Sequence, residues 1–333
     1  MSYDLVIRNG TVVDGTGAPR IRADVAVTDG RIVEVGKVDG RAKETIDASD
    51  LIVAPGFVDP HTHYDAQICW DDVTSPSCWH GVTSVMMGNC GVGIAPCRPE
   101  SREIAAWDLV NVEAIPFDVL NQGVTWDWET FPEYLDAANN RGSGLNLGFL
   151  APLTPFRHYV MGDESMERAA TEDERGSIAG LLHEAMEAGA FGFTTTNAGQ
   201  HVGFQGRPLA CRLADEQELR AYCNVLRDLG RGTIEIALTN EVSTVDASER
   251  ALLELLLSES QRPVTWLALL NRDDKPNACQ ETLEEVADLI ERGAVPQSTC
   301  RPFIIQIDLR TPFIFANMDC WNPVLNRTPD EQI

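Results

Sequence analysis

The chain has 333 residues, 44% apolar and 23% charged, the proportions of an ordinary globular protein with room for a large core, which argues against disordered, collagen-like and disulfide-stapled classes. Its 26 basic and 51 acidic residues give a net charge of −25, and so negative a surface repels phosphate backbones and anionic membranes, so no nucleic-acid or membrane partner is expected. The N-terminus has no basic stretch followed by an apolar one, and no run approaches the roughly eighteen apolar residues of a spanning helix. A cytoplasmic location is therefore expected, with the nine cysteines, none in CxxC spacing, as reduced thiols.

In chain order, residues 1–52 read as a small β-sheet domain. Short β-rich runs at 3–7, 24–27 and 31–35 are separated by Arg8-Asn9-Gly10, Asp29-Gly30 and Asp39-Gly40, and Asn-Gly or Asp-Gly between such runs predicts hairpins. Residues 53–333 change to short apolar runs separated by helical patterns, the signature of repeated βα units. Candidate strands lie at 56–58, 83–87, 145–150, 191–194, 233–238, 264–269 and 303–307. Helices are expected over 171–188, with acidic Glu172, Asp173 and Glu174 in the first turn and Gly189 at the end, and over 215–229, closing on Gly230. The fold class is α/β: a (β/α)8 TIM-type barrel lacking its last strand in this chain, because seven strands are one short of the eight that close. An open doubly wound sheet is the alternative.

The chemistry concentrates at two strand ends. In the run from Pro55 to Asp65, His61 and His63 are two apart, so on a strand end their side chains share a face and can chelate one metal ion. The alternative is two hydrogen-bonded histidines. The second strand leads into Met87-Gly88-Asn89-Cys90-Gly91-Val92-Gly93, where glycines let the backbone approach a ligand and Cys90 offers a thiolate. A packed thiol is the alternative there.

Several motifs resemble one family, the N-acyl-D-amino-acid deacylases (D-aminoacylases) of the amidohydrolase superfamily. They are Asp4-Leu5-Val6-Ile7-Arg8-Asn9-Gly10, PGFVDPHTHYDAQ at 55–67, GVTSVMMGNCGVGIAPCRP at 81–99, VTWDWETFPEYLDA at 124–137, HYVMG at 158–162 and EAGAFGFTTT at 187–196. The resemblance implies a (β/α)8 barrel with a small β domain, a Zn²⁺ cofactor and a small-molecule substrate. The implied reaction is hydrolysis of a linear amide such as that of an N-acyl-D-amino acid. It also implies that His61 and His63 are first-strand metal ligands and that Cys90 takes the second-strand position.

The chain departs from the family pattern of histidine ligands on the fifth and sixth strands: the runs at 233–236 and 264–267 hold none, and none follows His201. The family's late aspartate, a ligand and acid/base, is expected beyond residue 333. Glu235 and His201 are the candidates to replace a lost ligand, against the plainer readings of a paired carboxylate and a loop side chain. A substrate carboxylate needs a cation, for which Arg157 and Arg272 are candidates. Two other functions compete: hydrolysis of a cyclic amide, as in hydantoinase-like or dihydroorotase-like enzymes, and a noncatalytic scaffold that has lost ligands.

Overall fold

A computed structural model describes residues 2–301, 304, 318 and 320–325. The chain divides into two compact units between Val58 and Asp59, where the sequence reading places the boundary at 52.

The first unit is a β-sheet built from β1 (Ser2–Val12), β2 (Ile21–Thr28), β3 (Arg31–Gly36), β4 (Arg41–Asp47) and β5 (Ile52–Val53). Its order is β3-β2-β1-β4, with β5 also on β1. Asp29 and Gly30, at φ 50° and 70°, join β2 to β3 as a two-residue hairpin, since both central residues of a type I′ turn need positive φ. The Asn9-Gly10 expectation is corrected. The pair lies inside β1, where the register against β2 shifts between Ile7 and Gly10 and Asn9 turns to φ 62°, so the left-handed residue makes a bulge and not a reversal. Asp24 Oδ1 accepts from the displaced Asn9 N–H at 2.8 Å. Tyr3, Val6, Ala26 and Val38 form this unit's own core.

In the second unit the chain alternates strands with helices. The division falls within β6 (Phe57–Asp59), and β7 (Val82–Met87), α1 (Arg102–Glu113), α2 (Phe117–Gly123) and α3 (Phe131–Arg141) follow. Next come β8 (Asn146–Phe149), β9 (Ala151–Pro152), α4 (Leu153–Met161), α5 (Glu172–Ala188), β10 (Gly192–Thr196), α6 (Glu216–Leu229) and β11 (Thr233–Ala237). The series continues with α7 (Ala247–Ser260), β12 (Val264–Leu267), α8 (Ala278–Glu285), α9 (Ala287–Glu291) and β13 (Ala294–Pro296). The strands form two sheets, β6-β7-β8 and β13-β12-β11-β10-β9. The pairs β7–β8 and β9 through β13 are parallel, which makes the unit α/β.

Six candidate strands coincide with β6, β7, β8, β10, β11 and β12. The seventh, 303–307, lies outside the described residues except for Ile304. β13 is absent from the sequence reading because three residues ending in proline carry no period. The two expected helices are α5 and α6. Thr171 and Glu174 exchange hydrogen bonds in a capping box at the start of α5, and Asp215 accepts from Glu218 N at 2.8 Å at the start of α6.

Register gives the five-stranded sheet two unlike faces. Thr194, Glu235 and Thr265 are partners across β10, β11 and β12 and so lie on one face. Their neighbours Phe193, Ile234 and Val264, with Ile236 and Trp266, are fully buried on the other. There Phe193 meets Tyr222 of α6 edge-on at 6.5 Å. Each such apolar side chain contributes roughly 1.5–3 kcal/mol on burial, so the apolar face holds the sheet and frees the polar row for other work. Among the described residues, no helix is long and apolar enough to cross a membrane.

Candidate metal centre

Beyond β6 the chain is pinned at Thr62, whose N–H and hydroxyl both donate to Met86 O of β7, at 3.0 and 2.7 Å. The flanking His61 and His63 turn their rings together, and their Nε2 atoms are 3.3 Å apart. Cys90 Sγ lies 3.4 Å from His61 Nε2, and the three donor atoms all fall within 4.8 Å of one another.

Cys90 reaches this point from a tight turn after β7. Its φ is 57°, between Gly88 at 80° and Gly91 at 70°, and a left-handed residue with a side chain costs on the order of 1–2 kcal/mol. A Cβ on Gly88 would stand 2.1 Å from Leu150 O, so the turn requires glycine there. The polar row supplies what holds the turn. Glu235 Oε2 accepts from Cys90 N at 2.7 Å, Thr194 Oγ1 accepts from Gly91 N at 3.0 Å, and the Thr194 hydroxyl donates to Gly88 O.

The third member of the row acts through Gln297, just past β13. Gln297 Nε2 donates to Thr265 Oγ1 at 3.0 Å, which turns its amide oxygen toward His61 Nδ1 at 2.7 Å. An amide oxygen only accepts, so His61 carries its proton on Nδ1 and keeps the Nε2 lone pair facing His63 and Cys90.

Burial biases these groups toward neutrality. It pushes His61 down to about 3, with His63 adding repulsion, and His63 down to about 4, so both imidazoles are neutral and able to ligate. The Cys90 thiol is pushed well up by burial, and next by Glu235. Burial raises the Glu235 carboxyl to about 8 against the opposing Cys90 amide, and Asp65 to about 7 against the Gly88 amide. Glu113, whose Oε1 is 3.2 Å from His63 Nε2, is raised to about 8 by burial. Three buried polar atoms here, His63 Nδ1, Asp65 Oδ2 and Glu235 Oε1, have no hydrogen-bond partner.

The donor set suits a tetrahedral zinc ion. Bonds of about 2.0–2.1 Å to nitrogen and 2.3 Å to sulfur set N–N edges near 3.3 Å and N–S edges near 3.5 Å. The separations from His61 Nε2 to His63 Nε2 and to Cys90 Sγ are 3.3 and 3.4 Å, and the third pair lies within 4.8 Å. A cation would also give the unpartnered carboxylate oxygens a counter-charge.

The other sequence candidates lie elsewhere. Glu235 sits behind the donors: one oxygen is on Cys90 N, and the other is 3.9 Å from His61 Nδ1, the ring nitrogen that faces away from the cluster. His201 is buried with Nδ1 on Thr196 Oγ1 at 2.9 Å. Burial pushes it down to about 3, with His63 next, and it falls outside the three-residue donor group.

The structure places both candidate arginines in ion pairs away from the donor group. Arg157 is fully buried on α4, paired with Glu218 and donating to Arg168 O at 2.7 Å, so its charge is spent in the core. Arg272 lies between Asp274 at 2.6 Å and Glu241 at 2.8 Å. Gln297, Glu113 and Asp65 were missed. Asp65 lies inside the motif that carries the histidines, whereas no local signal marks the other two.

Residues 44–295 match the model of an amidohydrolase family. The chain is 35% identical over 194 residues to a D-aminoacylase of Alcaligenes xylosoxydans xylosoxydans, covering 58% of this chain and 37% of that protein. It is 32% identical over 299 residues to an N-acyl-D-aspartate deacylase of the same organism, covering 89% and 55%. A solved N-acyl-D-glutamate deacylase from Bordetella bronchiseptica, complexed with zinc and a phosphonate mimic of the tetrahedral intermediate, is similar at a TM-score of 0.67. That match has 26% identity and covers 91% of this chain and 59% of that one. The chain thus spans about half the length of the curated relatives it matches.

Proposed function

The chain belongs to the amidohydrolase family, and on that premise we propose that it binds a divalent metal, zinc by preference, and hydrolyses a linear amide such as that of an N-acyl-D-amino acid. The observation that carries this reading is the convergence of His61 Nε2, His63 Nε2 and Cys90 Sγ, in a chain similar to proteins named as deacylases of such compounds. Two imidazoles and a thiolate are donors that zinc favours.

When bound, the ion would polarise an amide carbonyl and make water a better nucleophile near neutral pH. The rest is the work of the chain itself. Gln297 holds the His61 proton on Nδ1 so that Nε2 stays a donor of electrons. Glu235 and Thr194 keep the Cys90 turn in its left-handed form, and Thr62 orients the histidine pair.

We read the parallel strands as staves of a (β/α)8 barrel. In support, His61, Cys90 and Gln297 all follow the C-terminal ends of strands, β6, β7 and β13, where barrel active sites lie. Nine free thiols support a cytoplasmic location, and the negative chain supports a small-molecule partner over a nucleic acid.

The test is to load the chain with zinc and measure amino-acid release from N-acetyl-D-amino acids, acidic and neutral, beside their L-forms and beside hydantoin ring opening. Release from linear D-substrates is expected. Ring opening alone would transfer the assignment to cyclic amides. A zinc-loaded chain that hydrolyses neither would favour a scaffold.

A further inference from the structure

We propose that Tyr134 of α3 and Trp128, six residues before it, are positioning residues for this metal: together they hold the loop that carries His63 against the loop that carries Cys90. The proposal rests on the metal reading above and deepens it. It gives a role to the stretch VTWDWETFPEYLDA at 124–137, which supplies none of the three donor atoms.

The stretch builds its own frame. Thr130 and Glu133 form a capping box at the start of α3, and the Glu133 carboxylate accepts from Thr130 N at 2.9 Å and from Glu129 N at 3.0 Å. These bonds tie the residues before the cap to the first turn of the helix, and the Trp128 and Tyr134 rings meet with their centroids 4.9 Å apart. Both side chains are buried, and a buried indole or phenol needs a partner for its polar end.

Each finds that partner on a different donor-bearing loop. The Tyr134 hydroxyl donates to Asp65 O at 2.9 Å, two residues after His63. The Trp128 indole N–H donates to Ile94 O at 3.0 Å, four residues after Cys90. Between them, Glu129 O accepts from Cys97 N of the second loop at 2.7 Å. The two loops also meet directly: the Gly88 N–H donates to the Asp65 carboxyl group, and a Cβ on Gly93 would stand 3.3 Å from Asp65 Oδ1. His63 and Cys90 therefore belong to one closed frame that runs through Asp65, Tyr134, Trp128 and Ile94. Packing alone asks only for the rings. The two hydrogen bonds add a fixed spacing between donors that follow different strands, and such donors must be held to within about 0.5 Å of the productive geometry.

The experiment uses the metals alone as probes, on the wild-type chain and on Tyr134→Phe, which keeps the ring and removes the hydroxyl. Zinc affinity is measured by competition with a chromophoric chelator, and the Co²⁺ forms are compared by absorption. Tyr134→Phe should lose about tenfold in zinc affinity. Its sulfur-to-cobalt band from Cys90 should shift, a change that lower stability of a folded chain does not produce. Trp128→Phe, which removes the other bond, should move both readouts in the same direction, and it carries the comparison if Tyr134→Phe does not fold. His158→Leu, whose hydrogen bonds lie outside the frame, serves as the control: it should lose stability and keep the wild-type affinity and cobalt spectrum. Wild-type affinity and an unchanged spectrum in either folded aromatic variant overturn the proposal and leave the metal reading standing. An equal change in His158→Leu does the same, because general loosening would then account for it. A wild-type chain that takes up no zinc overturns both.

Discussion

Two polar clusters in the second unit invite comparison because α1 contributes to both. Asp108 lies in the middle of that helix and Glu113 at its end. In the first cluster His158 Nε2 bonds Asp108 Oδ2 at 3.1 Å and Nδ1 bonds Ser165 Oγ at 2.8 Å. The serine hydroxyl donates to Gly162 O at 2.6 Å, and Asp108 Oδ1 accepts from Phe204 N at 2.8 Å. Every polar side-chain atom in that chain is satisfied from within the protein. Around His61, His63 and Cys90 the pattern is reversed: His63 Nδ1, Asp65 Oδ2 and Glu235 Oε1 are buried without partners. A buried network left incomplete is costly. The difference teaches that the first cluster holds helices and loop together from within, whereas the second is the one that the proposed metal would complete.

That contrast can be broken by exchanging the damage. The largest expected effect is on the open cluster. Replacing both His61 and His63 by alanine should lower zinc affinity by on the order of a thousandfold, beyond the tenfold to hundredfold governed by groups that only orient a ligand. The metal-free denaturant midpoint should hardly move. In the closed cluster the signs are exchanged: His158→Leu strands Asp108 in the core and should cost about 3 kcal/mol in urea unfolding, with zinc affinity of the folded protein unchanged.

Smaller changes sharpen the comparison. Cys90→Ser nearly preserves volume but replaces a soft thiolate by a hydroxyl that stays protonated. It should weaken zinc binding by roughly a hundredfold in competition titrations and shift the thermal midpoint of the metal-free chain little. If Cys90 only packs, affinity should stay put and stability should fall by about 1 kcal/mol. The smallest effect is expected for Gln297→Leu. Losing the hydrogen bond that sets the His61 tautomer should cost about tenfold in zinc affinity, read in the same titration.

The parts legible in the sequence are those whose causes lie within a few residues. Two histidines two apart share a face on any strand end, and the acidic first turn of α5 and the glycines that close α5 and α6 mark those helices. Asn9-Gly10 misleads because the same positive-φ residue serves a bulge as well as a hairpin, and the choice depends on pairing with β2. Gln297 is illegible for a different reason: its bond to His61 spans 236 residues, and a glutamine after a three-residue strand looks like any loop residue. Glu113 is hidden likewise, since on α1 it reads as a surface acid until the fold sets it on His63. Arg157 differs in the opposite sense. A cation in a motif-rich stretch suggests a ligand, and only the fold brings Glu218 of α6 to it as a partner.

The central claim is that the open cluster is a metal site, and metal content tests it most directly. The chain and its His61→Ala/His63→Ala form would be dialysed against zinc, passed free of unbound ion and analysed by mass spectrometry for metal per chain. The account predicts that the wild-type chain retains about one zinc ion, as folded donor sets do, and that the double variant retains almost none. Equal zinc in the two proteins would contradict it.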